Sequence, residues 1–382
     1  MNRRYFDHNA TTPVSPVVLD VYMQALQRMY GNASSIHRTG QEARQALEQA
    51  RRQVASYLSC EPKEVIFTSG GTEADNLAVF GVVRASRKPR RRVITTAIEH
   101  PAVLNACMQL EREDVEVLYV PPGGDGVVDP EAIRRCINAD TVLISVMHAN
   151  NEVGTIQPVA EIAGMAREHG IPFHSDGVQA AGKIPVQAGV DLYAVSAHKL
   201  YAPKGVGALR VRNGVALQPL MFGGRHEQGR RPGTENVPAA LAFGAAVENI
   251  SLERMDRVRR MRDRLESAIL ERVPGTRVNG AGAPRLPNTT NICFDGIGGE
   301  ALVIALDLAG FAVSTGAACS SGAVAPSHVL TAMGLTARQA RSSVRFSLGE
   351  SNTEEDVDEL VKAIVEAVER LRRVSPDWSP HD

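Results

Sequence analysis

Lysine is scarce in this sequence. Only Lys63, Lys88, Lys183, Lys199, Lys204 and Lys362 occur in 382 residues, and every other cationic side chain besides histidine is arginine. Chemistry that needs a primary amine therefore has a short set of candidates. Cysteine is scarce too, with five thiols, an odd number, and no CxxC pair. That argues against a disulfide framework or a cysteine-rich metal site, fits a reducing cytosol, and leaves room for one reactive thiol. No segment approaches ~18 uninterrupted apolar residues, so no membrane span is expected. MNRRYFDHNATTP turns polar too early to hold a signal-peptide apolar region. Neither charge sign is in excess, since 42 Lys+Arg oppose 43 Asp+Glu for a net −1, and the electrostatic footprint of a nucleic-acid binder is missing. No GxGxxG follows a strand. GVQAAGKI (177–184) falls short of a P-loop, because Ile184 stands where a Ser or Thr must hold magnesium.

What is there is globular: 43% hydrophobic and 22% charged residues. At roughly 150 residues per domain the length predicts two domains. QEARQALEQARRQVASYL (41–58) sets Ala43, Leu47, Ala50, Val54 and Leu58 on one helical face. EVIFT, RVITT, VEVLYV, TVLISV, IPFHSD, DLYAVS and GALRVR are short apolar runs, several separated by room for a crossover helix. That rhythm predicts a mostly parallel α/β sheet buried on both faces. From residue 236 it gives way to a long helical stretch broken near Ser251, then to a smaller α+β unit. We read 14–259 as the large domain, and 1–13 with 260–382 as the small one. The basic cluster Arg84–Arg92 reads as a solvated surface loop.

Several motifs sit where strands end. SGGTE (69–73) is a glycine-rich turn into a helix, suited either to a phosphate or to a plain tight turn; Gly70 and Gly71 would let backbone approach an anion. In SAHK (196–199) a lysine follows a buried strand, which is costly unless the amine is paired or covalently engaged. Ser196 and His198 add donors suited to phosphate. In HSDGVQ (174–179), Asp176 is placed to hold a pyridinium N–H, as pyridoxal phosphate (PLP) enzymes require, or to cap the next helix. EHPAV (99–103) offers His100 as a plate for a flat cofactor, with Pro101 in a helical first turn. STGAACSSG (314–322) cannot build a core and reads as a mobile loop carrying Cys319, the best nucleophile among the five thiols. The other four, Cys60, Cys107, Cys136 and Cys293, read as helix or strand residues. Together these parts suit a PLP enzyme acting on a thiol amino acid.

The order DHNATTP (7–13), GNASSIHRTG (31–40), FTSGGTEADN (67–76), EHPAV, MHANNEVGTIQP (147–158), HSDGVQ, SAHKLYAPKGVGAL (196–209), GGRHEQGRRPGT (223–234), STGAACSSG and SSVRFSLG (342–349) resembles the NifS/IscS-type cysteine desulfurases, in the class V aminotransferase family. The resemblance implies the PLP-dependent transferase fold, aspartate-aminotransferase-like, with a mostly parallel seven-stranded sheet. It implies conversion of L-cysteine to L-alanine, with sulfur carried as a persulfide on Cys319 of a mobile loop at about 314–326. Lys199 would form the internal Schiff base with PLP and act as base, and His100 would stack on the ring and shuttle protons. Asp176 would pair the ring nitrogen, while Gln179 and Asn151 would contact the ring-oxygen region. Gly71, Thr72, Ser196 and His198 would hold the phosphate, joined by Thr234 from the partner of a homodimer. Arg345 would bind the substrate carboxylate, with Asn32 or Asn151 assisting. No resident metal is implied, although Cys319 could serve as a transient iron–sulfur ligand shared with a scaffold protein. Sulfur would pass to a scaffold protein of IscU/NifU type for iron–sulfur cluster assembly, or to tRNA thiolation, in the cytoplasm and without direct nucleic-acid or membrane contact. Selenocysteine lyase or another class V aminotransferase is the alternative. His8 stands where Asn is usual and Ala33 where Pro is usual, both expected near the substrate entrance.

Overall fold

The structure, a computed structural model, describes residues 3–187, 189–316, 325–376 and 378. After β1 (Arg4–Tyr5), α1 (Pro16–Arg28) and α2 (Arg38–Tyr57), strands and helices alternate. They are β2 (Val65–Thr68), α3 (Gly71–Ala85), β3 (Arg92–Thr96), α4 (Pro101–Glu111), β4 (Glu116–Val120), α5 (Pro130–Cys136), β5 (Thr141–Ser145), α6 (Val159–Glu168), β6 (Phe173–Asp176), β7 (Leu192–Ser196) and β8 (Gly207–Val211). The last seven strands of this series form one sheet in the order β2-β8-β7-β6-β5-β3-β4. β2, β5, β6 and β7 are buried at every position, which is why their sequences run apolar without alternating. Neighbours along each strand serve opposite faces. Phe67, Ile94 and Ile144 join one core, while Ile66, Val93 and Leu143 join the other, as the two-residue period requires.

Only β8 departs from the parallel pattern, running antiparallel to both β2 and β7. The connection from β7 to β8 spans just 197–206, shorter than the dozen or so residues a parallel crossover needs. β3, β5, β6 and β7 run parallel and so end on one edge, where β2 also ends. From β3 the chain steps outward to β4 and then returns to β5 on the other side of β3. That reversal opens a crevice at the strands' C-terminal edge, the usual ligand position in such sheets.

The helical stretch predicted to break near Ser251 does so. α7 (Val237–Glu248) ends there, and the Ser251 hydroxyl caps α8 (Leu252–Arg272) by accepting from the Arg254 N–H. Then follow β9 (Thr276–Val278), β10 (Thr289–Phe294), α9 (Gly299–Leu308), β11 (Phe311–Ala312), α10 (His328–Ala332), α11 (Ala337–Arg341), β12 (Ser343–Ser347) and α12 (Glu354–Val374). β12, β10 and β9 form an antiparallel sheet. β1 pairs in parallel with β11, so the start of the chain lies on this C-terminal unit. Phe6 packs in one apolar cluster with Met255, Leu265, Phe294, Phe346, Leu360 and Ile364.

Candidate active site

A cavity of about 850 Å³ opens at the crevice. One end is a glycine cradle. A Cβ on Gly207 would fall 2.7 Å from the Gly70 Cα, and one on Gly71 would fall 2.7 Å from a Val178 methyl. The missing side chain at Gly207 lets β8 close on the turn before α3, and the one missing at Gly71 lets that turn close on Val178. The N–H groups of the first turn of α3 have no intrahelical acceptor. Glu73, the acid in that turn, is drawn aside by Arg231 at 2.8 Å. Burial alone would raise Glu73; Arg231 and Ser69 hold its carboxyl below the ordinary value. Beside the turn, the buried Ser196 Oγ has no hydrogen-bond partner. His198 lies against Thr11, and burial, reinforced by Lys199, Lys204 and Lys183, pushes its pKa down to about 4. Free N–H groups, an orphaned hydroxyl and space where Cβ atoms would stand fit a phosphate.

The middle of the cavity fits an aromatic ring carrying a basic nitrogen. His100 caps α4, its Nδ1 accepting from the Ala102 N–H at 3.1 Å, so a neutral ring carries its proton on Nε2. One atom each of Asp75, His100 and Asp176 lie within 4.8 Å of one another. A cation could use the same trio, which sits inside this cavity. Burial raises the Asp176 carboxyl, while His100 and the Val178 N–H pull it back; Asp75 is raised by burial and by Asp176. A protonated ring nitrogen would return Asp176 to its ionised form. Beneath lies His174, 3.3 Å from Asp75 and 2.8 Å from Ser145, which burial drives down to about 3.

Lys199 follows β7 in a short 3-10 turn. Its Nζ donates to the carbonyls of Asn9 and, at 2.7 Å, Ala10. Burial first, and Arg345 second, lower its pKa to about 8, so the amine is far more often neutral than an ordinary lysine. Gln179 donates to the Asn9 carbonyl at 2.9 Å. On β12, Arg345 is 4% exposed. It donates to Asp7 at 2.6 Å and to the Asn151 carbonyl at 2.8 Å, and its Nε has no partner. An arginine fork reaching a cavity with its Nε–H unpaired suits a carboxylate.

Gly71, Thr72, His100, Asn151, Asp176, Gln179, Ser196, His198, Lys199 and Arg345 thus line one cavity. Asn32 and Thr234 do not; both are exposed on this chain, and the Asn32 side chain accepts from the Ser34 N–H. Cys319 lies outside the described residues, but Ser314, Gly316, Ala325 and Pro326, which flank 317–324, line the cavity. Burial is the first cause that raises the Cys60 thiol to about 11, Cys107 to about 12, and Cys293, which makes them poor thiolates. Cys60 belongs to the connector after α2 rather than to a helix or strand. Neither His8 nor Ala33 lines this cavity; His8 borders a neighbouring cavity that shares Lys199, and Ala33 borders a third. Sequence reasoning passed over Asn9, Asp75, Glu152, Ser327 and His328. The first three lie inside motifs already quoted, and Ser327 and His328 belong to none. Glu152, raised by burial, accepts from Ser327 at 2.5 Å.

The chain matches the family described as Aminotransferase class-V over residues 4–360. It is 45% identical over 378 residues to the cysteine desulfurase of Trichormus azollae, covering 97% of this chain and 94% of the relative. To the cysteine desulfurase IscS of Dictyoglomus turgidum it is 43% identical over 378 residues, covering 97% and 96%. A solved structure described as a NifS-like protein superposes with a TM-score of 0.90 at 38% identity, covering 97% of this chain and all of that one. Another, described as SspA in complex with cysteine, gives 0.82 at 34%, covering 92% of this chain and all of that one. With a glycine cradle, a buried carboxylate and a depressed lysine in one cavity, and relatives matched nearly end to end, the chain belongs to the PLP-dependent class-V aminotransferase family.

Proposed function

We infer that this protein is a cysteine desulfurase, converting L-cysteine to L-alanine and carrying the sulfur away on its own thiol. The observation that carries the reading is the convergence of Lys199, Asp176 and Arg345 on one cavity whose rim holds both flanks of the Cys319 segment. Relatives named for this activity, matched at 43–45% identity over nearly the whole chain, support it. When bound, the cofactor supplies an electron sink for the bonds at the substrate's α-carbon.

The chain's residues then divide the work. Arg345 takes the cysteine carboxylate in place of its contacts with Asp7 and the Asn151 carbonyl. Lys199 would hold the cofactor, and its amine would carry the substrate's α-proton. Asp176 keeps the ring nitrogen protonated, and His100 covers the ring with an Nε2–H available for proton transfer. Thr72, Ser196 and His198 hold the phosphate. The Cys319 thiolate would attack the substrate sulfur, the S–Cβ bond breaking with its electron pair left on the three-carbon fragment; that fragment takes up protons and departs as alanine, and the sulfur stays on Cys319 as a persulfide.

We further propose a homodimer. Val17, Met23, Leu26, Tyr30 and Ile36, in and just after α1, and Phe222 farther along, are exposed apolar residues, of the kind that mark an interface. Thr234, exposed and away from its own chain's cavity, is then available to the partner's phosphate site, and Asn32 to the substrate region. The division into 14–259 and 1–13 with 260–382 is supported by the separate core around Phe6 and Phe346; Val329, Leu330 and Ala340, which pack on the larger core, are exceptions. A scaffold of IscU/NifU type is the proposed acceptor, in the cytoplasm. Among the described residues no helix is long and apolar enough to cross a membrane. The deciding experiment incubates the PLP-loaded protein with cysteine, assays alanine, and weighs the Cys319 peptide for one added sulfur. Alanine without sulfur on that peptide would remove Cys319 from the reaction.

A further inference from the structure

A second cavity, of about 430 Å³, shares Lys199 with the first. Most of its wall is apolar, including Val14, Leu200, Ile250, Met255 and Leu348. Arg254 and Glu350 also face it, but pair with each other at 2.8 Å. Two of its polar side chains have donors still to give, His8 and Lys183. The His8 ring is 1% exposed, set edge-on to Tyr5 at 5.0 Å and 6.1 Å from the Tyr201 ring. It is pressed so closely on Gly349 that a Cβ there would fall 2.1 Å from its Cε1. Neither ring nitrogen has a hydrogen-bond partner; the Tyr5 carbonyl favours a protonated ring but lies outside hydrogen-bond geometry. Burial, then Lys183, lower the His8 pKa to about 4, so the ring is neutral with one N–H to give. A buried donor left unused costs about 1–3 kcal/mol.

Lys183 gives two of its three N–H groups to Gln179, at 2.9 Å to the carbonyl and 3.3 Å to Oε1. Burial first, then Lys199 and Arg345, lower the Lys183 pKa to about 7, and an anion beside the amine would restore its charge. One spare donor on each of His8 and Lys183 therefore suits an acceptor bearing one negative charge. A phosphate would need more donors than these, and the other walls would leave it dry. We propose that this cavity is a second small-molecule site, for a monocarboxylate with an apolar body, its carboxylate accepting from His8 and Lys183. An occupant sets a negative charge beside Lys199, outside the cofactor cavity.

The test is calorimetric titration of the PLP-loaded protein with 3-phenylpropanoate and with its neutral amide. The acid is expected to bind once per chain and at least about tenfold more tightly than the amide, the value of one charge-assisted hydrogen bond. Lys183→Met and His8→Phe should each remove that advantage, whereas Arg345→Gln should leave it. No binding by about 10 mM, equal affinities for acid and amide, or loss of binding in Arg345→Gln would overturn the proposal; the last would move the acid to the substrate site. Should either polar variant fail to fold, Ile250→Trp fills the apolar part of the cavity, and undiminished binding there refutes it as well.

Discussion

Gly207→Ala tests whether the glycine cradle is a phosphate site. The added methyl would stand 2.7 Å from the Gly70 Cα, 2.7 Å from the Val195 carbonyl oxygen and 2.9 Å from the Gly70 carbonyl carbon. All three are backbone atoms, so no side chain can swing away. Ordinary contact needs roughly 3.5 Å or more, so the turn before α3 must retreat from β8 by nearly an ångström. Overpacking of this kind costs about 1–3 kcal/mol. At ~2.1 cal/mol/K of unfolding entropy per residue, that lowers Tm by about 1–4 °C. The retreat moves the N–H groups of Gly71 and Thr72, so PLP affinity should fall by about 5- to 150-fold. The assay titrates apo protein with PLP and, in parallel, with pyridoxal, following the visible absorbance. Because the displaced groups face the phosphate, the loss should appear for PLP and be nearly absent for pyridoxal. Equal losses for the two ligands, or unchanged PLP affinity, would refute the assignment.

Lys199→Ala is expected to yield colourless protein after PLP treatment, whereas Cys319→Ala should stay yellow, bind cysteine and release no sulfide with a reductant present. Undiminished sulfide from Cys319→Ala would refute the role of that thiol. Arg345→Gln should retain the cofactor's absorbance while kcat/KM for cysteine falls by about 10- to 100-fold, the worth of one or two charged hydrogen bonds; a similar fall for a substrate lacking the carboxylate would contradict this. The Lys199 amine attacks only when neutral, and its pKa is lowered from 10.5 to about 8. The rate of cofactor uptake by apo protein should therefore rise with pH and level off above about pH 9. A rate still climbing tenfold per pH unit there would show an unperturbed lysine.

The parts of this molecule legible in the sequence are those set by local rules. Ser251 announces a helix start, His100-Pro101 another, and the alternation of apolar runs with amphipathic stretches announces a parallel sheet. The reversal of β8 follows from a connection length, also readable in principle. Less legible was which polar residue of a motif enters the cavity. Asn9 reaches Lys199 through a segment held by Ser347, Thr289 and the His198 carbonyl, all remote in sequence, and Glu152 meets Ser327 across 175 residues. His8 and Asn9 sit in one turn, closed by the Ala10 N–H on the Asp7 carbonyl, yet Asn9 borders the larger cavity and His8 the smaller. The sequence carries no mark of which side chain of that turn meets which cavity.

The pairing of β1 with β11, and of Asp7 with Arg345, also sets an order of events during synthesis. Those two side chains are 338 residues apart, and at ~5–20 residues per second the ribosome needs roughly 20–70 s to span them. Throughout that interval Phe6 lacks Phe346, Leu360 and Ile364 of its core, and Lys199, once made, has the Asn9 and Ala10 carbonyls only if the segment that carries them docks unaided. The large sheet can close early, but Arg345 is made long after it. A nascent chain can thus own Lys199 long before it owns Arg345, and on the roles proposed above chemistry on the substrate waits until the segments around Asp7 and Arg345 have met.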